Sequence, residues 1–384
     1  MVGLEHSVAG PLCTRILGDL GADVIKVERA PDGDFSRHWD RNAAGQGAQF
    51  WWLNRRKRSI ALDLRDPAGR DALDRLLARA DVLVENMSPA AAGRLGFEEP
   101  AFDERHPRLV HCHISGYGSS GALRDRKAYD MLVQAEAGLM SVTGTDEQPM
   151  RTGVSICDVG TGIYAATLVL GALLDQRESG RGRRIELAMF DLAAELLAPM
   201  LISFANAGIS YPRLPDRHPA IAPYGAYRCA GGEQVLIAVE QQREWRLVCE
   251  HLLGEPALAD AERFASNTAR VMHREELDVV VQQAFARLSL QEATALFDRL
   301  GLAYARLNDL PAVTEHPVTA ERGVLETVQD GAGSDVRTVV GAAERLLAPR
   351  AGGRLRPPEL GEDTAAILRE LGLDPEIPSA EAAR

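Results

Sequence analysis

The sequence predicts an α/β protein with a mainly parallel sheet covered by helices. Short apolar runs alternate with helical patterns through the first third of the chain, which is typical of repeated β-α-β units. A hydrophobic content of 46% beside 26% charged residues indicates a globular protein that buries a sizeable core. A length of 384 residues predicts two domains or one large domain.

The alternation begins with a helix that Gly21 ends, and it continues with strands on either side of a second, amphipathic helix. Pro67 lies in the first turn of that second helix, where its missing N–H is tolerated. The predicted helices cover residues 11–20 and 67–80, and the predicted strands cover residues 23–28, 59–63, 81–85 and 108–114. Because helical crossovers separate the strands, neighbouring strands are expected to run parallel.

A second region begins near Tyr211, where four prolines follow in quick succession and indicate a domain entry. Two strands are predicted around the pair Gly231-Gly232, and helices follow them. These strands cover residues 224–229 and 234–240, and the helices cover residues 244–253, 274–288 and 290–300. From about residue 312 the pattern becomes irregular, and a final helix is predicted over residues 363–371.

Charge, cysteine usage and apolar run length exclude several classes of protein. A net charge of −12 argues against a nucleic-acid surface, which needs clustered Lys and Arg. The five cysteines form no CxxC pair, which fits a reducing cytoplasm and offers no zinc or other metal site. The longest apolar run, residues 163–174, is shorter than the roughly 20 residues that span a bilayer, so a buried helix and no membrane partner are expected.

The loop over residues 116–121 matches the pattern GxGxxG after a predicted strand. A dinucleotide site also requires that the glycines open a helix and that an acidic residue follows about 20 residues later. A charged, irregular segment follows here instead, so no nicotinamide or flavin cofactor is expected. The basic run over residues 54–58 is typical of a solvated loop, and the alternative is contact with a phosphate-bearing ligand.

Asp158 is the strongest candidate for a catalytic residue. It is flanked by small residues, including Gly160 and Gly162, and it precedes the long apolar run. The spacing alone favours an N-cap that accepts hydrogen bonds from the first helical turn. The alternative is a carboxylate nucleophile attacking an activated acyl carbon, with nearby N–H groups stabilising an oxyanion. Four histidines, His6, His38, His111 and His113, lack a Ser or Cys partner at diagnostic spacing and are interpreted as structural.

Motifs along nearly the whole chain resemble class III CoA-transferases, the CaiB/BaiF family that also holds formyl-CoA transferase and α-methylacyl-CoA racemase. The matching segments are residues 9–11, 20–29, 33–37, 53–54, 57–63, 81–86, 94–96, 115–118, 127–130, 134–135, 152–164 and 360–364. The similarity runs from the first residues to about Gly372, and the motifs are specific only in combination.

The resemblance implies that Asp158 attacks an acyl-CoA thioester and carries the acyl group as an anhydride and CoA as an aspartyl thioester. Acyl-CoA and a carboxylate are then the substrates, and CoA is the only cofactor-like group. The positions that the resemblance assigns to CoA and substrate binding are Ser7, Val8, Ala9, Arg29, Asn54, Lys57, Asn86, Met87, Arg94, Lys127, Tyr129 and Asp130.

The resemblance also implies a Rossmann-like large domain and a smaller α+β domain in an interlocked, ring-shaped homodimer. The large domain would comprise residues 1–210 and a return segment over residues 312–384, with the small domain at residues 211–311. Each active site would lie between subunits of a cytoplasmic enzyme.

Two departures from the family pattern narrow the expected function. The racemase branch requires a histidine partner for two-base proton exchange, and this chain has Tyr129 there. The formyl-CoA branch carries a glycine-rich lid, of which only Gly231-Gly232 is present. A CoA-transferase is therefore the favoured function, and residues 115–144 and 218–225 resemble family members that act on small dicarboxylates. The alternatives are a racemase-like isomerase or a non-catalytic CoA-binding protein.

Overall fold

The computed structural model describes residues 1–347 and 354–375. The chain divides into two compact units, of which the first comprises Met1–Gly138, Thr152–Ala198 and Pro317–Arg384. The second unit comprises Leu139–Arg151 and Pro199–His316. The boundaries predicted at residues 210 and 311 stay predictions beside these unit limits at residues 198 and 316. Residues 348–353 and 376–384 of the predicted return segment lie outside the described residues.

A six-stranded, fully parallel sheet forms the centre of the first unit, with strand order β3-β2-β1-β4-β5-β6. Its strands are β1 (Val2–Leu4), β2 (Val24–Arg29), β3 (Lys57–Leu62), β4 (Val82–Glu85), β5 (Val110–Ser115) and β6 (Arg184–Ala188). The predicted α/β class with a parallel sheet and helices is therefore confirmed. Chain order reverses between β1 and β4, so a crevice opens outside the carboxyl ends of these two strands.

Helices surround this sheet and make up most of the remaining regular structure. In the first unit they are α1 (Ala9–Asp19), α2 (Ala48–Asn54), α3 (Pro67–Arg79), α4 (Pro89–Arg94), α5 (Pro100–Arg105), α6 (Asp130–Glu136), α8 (Ile156–Ser179), α9 (Met189–Leu196), α16 (Pro317–Glu321), α17 (Ala342–Leu347) and α18 (Thr364–Glu370). The short helix α7 (Leu139–Val142) belongs to the second unit, and α10 (Ala198–Ala207) begins at the last residue of the first.

Alternating side chains of the central strands pack into two separate cores. Val82 and Val84 of β4 lie in a cluster with residues of α1 and α8. Leu83 between them packs in the opposite cluster, which includes Leu73 of α3 and Ile367 of α18. Because both faces of the sheet are covered, its strands are apolar on both sides, as expected for a parallel sheet.

The apolar run predicted as a buried helix is part of the longer helix α8, which Gly180 ends in the left-handed region with φ 70°. Ala165, Ala166 and Val169 are buried, whereas Ile163 and Leu174 are 51% and 64% exposed. The prediction of a buried helix is thus right for one face only. Among the described residues, α8 is the single helix with the length and apolar composition of a membrane span, and its inner face packs on the protein core.

The second unit is an antiparallel sheet, β7-β8-β9, packed against helices. Its strands are β7 (Tyr224–Arg228), β8 (Gln234–Ala238) and β9 (Ala303–Arg306). Its helices are α11 (Gln242–Val248), α12 (Asn267–Met272), α13 (Arg274–Phe285), α14 (Leu290–Leu300) and α15 (Leu310–Glu315). Helix α11 continues into π-helical turns at Cys249–Leu253. The region predicted as irregular beyond residue 312 contains an antiparallel hairpin of β10 (Leu325–Gln329) and β11 (Asp335–Val339), so that prediction was wrong.

Candidate active site

A cavity of about 250 Å³ opens at the carboxyl ends of the central strands. Segments directly after four strands line it: Ser7 and Ala9 follow β1, Asn86 and Met87 follow β4, Gly116 follows β5 and Met189 follows β6. Asp158 in the first turn of α8 reaches the same cavity, as do Lys127 and Tyr129 from the connection between β5 and α6. Residues far apart in sequence therefore meet where a parallel sheet is expected to bind its ligand.

Asp158 presents an unpaired carboxylate to this cavity. The helix begins at Ile156, with Ser155 as its N-cap residue, so Asp158 lies inside the first turn and the N-cap interpretation is wrong. Within residues 1–347 and 354–375, no hydrogen-bond donor reaches the Asp158 side chain. Burial and, second, the charge of Asp130 raise the pKa of Asp158 to about 7. The helix dipole, which favours a charged carboxylate at this end, is outweighed.

Asp130 caps the helix that carries Asp158. It is buried, and its Oδ1 accepts hydrogen bonds from the backbone N–H groups of Cys157 at 2.8 Å and Asp158 at 3.1 Å. Its Oδ2 accepts a third from Gln134 Nε2 at 2.6 Å. Asp130 was predicted to bind CoA or substrate, but its side chain is committed to the helix terminus and it is not among the residues that line the cavity.

Two side chains hold the turn that follows β1 against the cavity. Asn86 accepts a hydrogen bond from the N–H of His6 at 3.0 Å and donates one to the His6 carbonyl at 2.9 Å. Ser7 has a φ of 68°, an unusual value for a residue with a side chain, and its N–H lies 3.3 Å from Asp34 Oδ1. Asn86 thus contributes to the cavity wall and also fixes the backbone opposite it.

Cationic side chains line the cavity along the segment from Arg124 to Lys127. Arg126 pairs with Glu136 at 3.0 Å and lies over the Tyr117 ring. Lys127 is exposed, and no carboxylate in the described part of the chain pairs with it. Such a cation in the same cavity as Asp158 suits an anionic ligand such as a phosphate or a carboxylate.

The glycine loop after β5 does not open a helix, because turns and bends continue as far as α6. A Cβ on Gly116 would lie 2.1 Å from the Ala128 Cβ, so Gly116 permits the chain near Lys127 to approach the strand end. Gly116 therefore makes the loop a close-approach element of the cavity wall. Two further glycines, Gly118 and Gly121, have positive φ.

Several predicted CoA-binding residues lie outside the cavity lining. Asn54 and Lys57 are buried, and Lys57 donates to Glu5, Asn54 and the Pro11 carbonyl. Burial lowers the pKa of Lys57 to about 8, although the charge of Glu5 opposes the shift. Arg29 is exposed and pairs with Asp32 at 2.5 Å. The remaining two are Val8, which packs in a small apolar cluster with Leu12 and Leu53, and Arg94, which is exposed at the end of α4.

Cavity residues that were not among the predicted site residues include His6, Phe35, Arg126 and Met189. The His6 and Phe35 rings lie 5.2 Å apart, which forms an aromatic corner of the cavity. Of these four, Met189 could have been found from its position, because it directly follows strand β6. It was missed because β6 itself was not predicted from the sequence. Across the described residues, no group of three or more His, Cys, Asp or Glu side chains is arranged to hold a metal ion.

Comparison with known proteins identifies the family. A family model described as CoA-transferase family III matches residues 1–364. Succinate–glutarate CoA-transferase of Agrobacterium fabrum is 33% identical, covering 97% of this chain and 94% of its own length. Human succinyl-CoA:glutarate CoA-transferase is 30% identical, with coverage of 97% and 84%.

Solved structures agree with the sequence comparisons. A CaiB/BaiF family protein from Brucella suis superposes with a TM-score of 0.80 at 32% identity, covering 96% of this chain and 97% of that one. The Mycobacterium tuberculosis protein Rv3272 gives a TM-score of 0.83 at 29% identity, covering 96% and 97%. The chain therefore belongs to CoA-transferase family III and is an enzyme of that class.

Proposed function

We propose that this enzyme moves CoA from an acyl-CoA donor to a small dicarboxylate, with Asp158 as the covalent carrier. The observation that carries the proposal is that one cavity contains an aspartate carboxylate and a lysine, neither of which has a side-chain partner among the described residues. A nucleophile must be accessible and free of donors that would hold its lone pairs, and Asp158 meets both conditions.

The proposed reaction consists of four acyl transfers that leave the enzyme unchanged. The Asp158 carboxylate attacks the donor thioester, forming a mixed anhydride and releasing CoA thiolate. The thiolate then attacks the aspartyl carbonyl of this anhydride, which gives an aspartyl-CoA thioester and frees the donor acid. The acceptor carboxylate displaces the thiolate to form a second anhydride, and the thiolate attacks the acceptor carbonyl, which restores Asp158.

Two features of the cavity support binding of an anionic thioester. Lys127 supplies positive charge on one wall, together with Arg124 and Arg126, which are already paired with acidic side chains. Ser7 and Ala9 line another part of the cavity, where small side chains leave room for an extended chain. We assign the CoA phosphates to the cationic wall and the pantetheine arm to the Ser7 turn.

The acceptor class rests on similarity. Relatives named for glutarate and succinate are about one-third identical to this chain over nearly its full length. One relative from Chloroflexus aurantiacus, 29% identical over 95% of the chain, is named for D-citramalate. We therefore propose a four- or five-carbon dicarboxylate as the acceptor, about the size of succinate or glutarate.

A racemase-like activity is the second candidate, and one residue favours testing it. His6 lines the cavity together with Asp158, so a second base is present even though Tyr129 occupies the expected histidine position. Burial lowers the pKa of His6, which keeps its imidazole neutral and able to accept a proton. Deuterium exchange at Cα of a 2-methylacyl-CoA in D₂O separates the two activities, because transfer of CoA leaves that proton in place.

The experiment that tests the proposal measures exchange of CoA between an acyl-CoA and a panel of isotope-labelled carboxylates. Asp158→Asn should abolish exchange while retaining CoA binding by calorimetry, because the amide keeps the shape and loses the nucleophile. The matched control is Asp66→Asn, which makes the same change at the N-cap of α3, away from the cavity. Full exchange by Asp158→Asn would overturn the proposal.

We also propose that two copies form an interlocked homodimer of Rossmann-like large domains in the cytoplasm. The exposed apolar face of α8, with Ile163, Leu170 and Leu174, supports an interface there. Large contiguous apolar surfaces are rare on monomers and typical of stable interfaces.

A further inference from the structure

We propose that Asp130 is the positioning residue for the nucleophile: it caps helix α8 in place of Asp158 and directs a fixed negative charge at the Asp158 carboxylate. This role rests on the proposed function of Asp158. It differs from the substrate contact predicted for Asp130 from sequence, because the Asp130 side chain is buried and contacts the protein itself.

Asp130, rather than Asp158, occupies the N-terminus of α8. The first turn of a helix has unpaired N–H groups that attract any nearby carboxylate. Asp158 lies within this turn, and Ser155 at the N-cap position makes no side-chain capping bond. Asp130 Oδ1 accepts from the N–H groups of both Cys157 and Asp158. The Asp158 side chain is therefore left without a donor and remains available to the cavity.

The Asp130 side chain is itself held in place by hydrogen bonds. Its Oδ2 is held by Gln134 Nε2 at 2.6 Å, one turn along the same helix α6. Gln134 is also buried, and its Oε1 accepts the N–H of Thr152 at 3.0 Å. The chain of hydrogen bonds from Thr152 through Gln134 to Asp130 thus fixes both oxygens of the carboxylate.

Asp130 also acts on the nucleophile electrostatically. Its carboxylate lies beside Asp158, and a like charge nearby disfavours ionisation of the Asp158 carboxylate. Burial comes first and Asp130 second among the causes that raise the pKa of Asp158 to about 7. The other titratable groups that face Asp158 are Cys157 on α8 and the cavity residues His6, Arg124, Asp125, Arg126, Lys127 and Tyr129.

The consequence is a nucleophile that titrates near neutral pH. A carboxylate with an ordinary pKa is fully ionised at pH 7, and it is correspondingly weakly basic. Raising the pKa makes the ionised form a stronger nucleophile while part of the population remains charged at working pH. The rate of donor-thioester attack should therefore rise with pH and level off above about 7.

The test compares two variants by the pH dependence of kcat/KM for acyl-CoA, which reports ionisation in the free enzyme. Asp130→Asn removes the charge and keeps an oxygen for the two N–H groups. The double variant Asp130→Asn with Gln134→Glu restores a donor–acceptor match between the two side chains and moves the charge one hydrogen bond farther from α8.

The acid limb is the part of the kcat/KM profile where activity falls as pH decreases. We expect it to move to lower pH by about one unit in Asp130→Asn and by less in the double variant. The limb should remain above the ordinary aspartate value of 3.8, because burial persists. The matched control Asp66→Asn, at the cap of α3, should leave the limb in place. An unshifted limb in a folded Asp130→Asn enzyme would overturn the positioning role.

A ¹³C NMR titration of aspartate-labelled enzyme gives a readout independent of turnover. The Asp158 signal, assigned by its loss in Asp158→Asn, should titrate about one unit lower in Asp130→Asn. If Asp158→Asn is inactive but the Asp158 signal titrates at the same pH in Asp130→Asn as in the parent, the positioning role of Asp130 is refuted and Asp158 is still supported as the nucleophile. Full exchange by Asp158→Asn would remove the nucleophile, and the positioning role with it.

Discussion

The Nζ atom of Lys57 lies 2.6 Å from Glu5 Oε1, and neither side chain has any exposure to solvent. Lys26 Nζ lies 3.7 Å from the same oxygen, and Thr14 donates to both oxygens of Glu5. This network joins the residue after β1 to the middle of β2 and the first residue of β3, next to the turn that lines the cavity. Lys57 therefore acts on the site through the fold, whereas Lys127 contacts the cavity itself.

Lys57→Met is predicted to destabilise the protein by about 3 kcal/mol, because it leaves part of a buried carboxylate charge uncompensated. The free energy of unfolding, measured by urea titration, checks this value. In the fraction that folds, the affinity for CoA should change little. A stable Lys57→Met enzyme with weakened CoA binding would instead support the direct contact predicted from sequence.

Lys127→Met is predicted to have the opposite pattern. We expect KM for acyl-CoA to rise about tenfold, which corresponds to roughly 1.4 kcal/mol for one exposed, charge-assisted contact. The melting temperature should stay within about one degree of the parent, because the side chain is exposed and unpaired within the described residues. Lys127→Arg should recover most of the affinity, and an unchanged KM in Lys127→Met would contradict the assignment.

The lowered pKa of Glu85 makes the free energy of unfolding depend on pH. Burial alone would raise its pKa, but hydrogen bonds to His111 and His113 lower it to about 2 from an ordinary 4.5. A depressed carboxylate pKa stabilises the fold above the unfolded value and loses this contribution as pH falls toward the folded value. Unfolding free energy should therefore fall by about 3 kcal/mol between pH 4.5 and 2 on account of this group.

Glu85→Gln isolates this contribution. The variant should be less stable than the parent near pH 6, because it loses the carboxylate that contacts His113. Burial lowers the pKa of His113, and the contact with Glu85 outweighs burial so that this pKa is raised. The stability of the variant should then decline less steeply under acid than that of the parent. Urea unfolding at pH 4.5, 3.5 and 2.5 provides the slopes, and equal slopes in the two proteins would exclude Glu85 as a source of the acid dependence.

The exposed face of α8 predicts an effect on assembly. Leu174→Glu places a charge on a face where Leu174 is 64% exposed in the single chain. If that face is an interface between two copies, the substitution should convert dimer to monomer, as measured by sedimentation velocity. Arg299→Glu, at the last turn of α14, reverses an exposed charge on a different helix and serves as the control. A Leu174→Glu protein of unchanged mass would argue against this interface.

Alternation along the sequence predicted four strands of the parallel sheet because β2, β3, β4 and β5 have apolar residues on both faces. It missed β1 and β6 for different physical reasons. Strand β1 has only three residues, and edge strand β6 contains Arg184 and Glu186, which suit a partly open face and break the apolar pattern. The hairpin of β10 and β11 was missed as well, since its alternation is weak and mostly exposed.

The candidate site was predicted less completely than the fold. Asp158 was selected from its local sequence, but the same local spacing favoured a capping role for its side chain. Asp130, on helix α6, performs that role instead. Sequence alone also did not separate Lys57, which is buried, from Lys127, which is exposed. Both features depend on contacts between segments distant in sequence, which spacing along one segment cannot reveal.

The most direct test of the account is to find the covalent intermediate on Asp158. The enzyme is incubated with acyl-CoA, the activated aspartyl group is trapped with hydroxylamine, and the digested peptides are analysed by mass spectrometry. The account predicts a hydroxamate on Asp158 that depends on acyl-CoA and is absent without it. Rapid exchange with no modification of Asp158, or with modification at another carboxylate, would contradict the central claim.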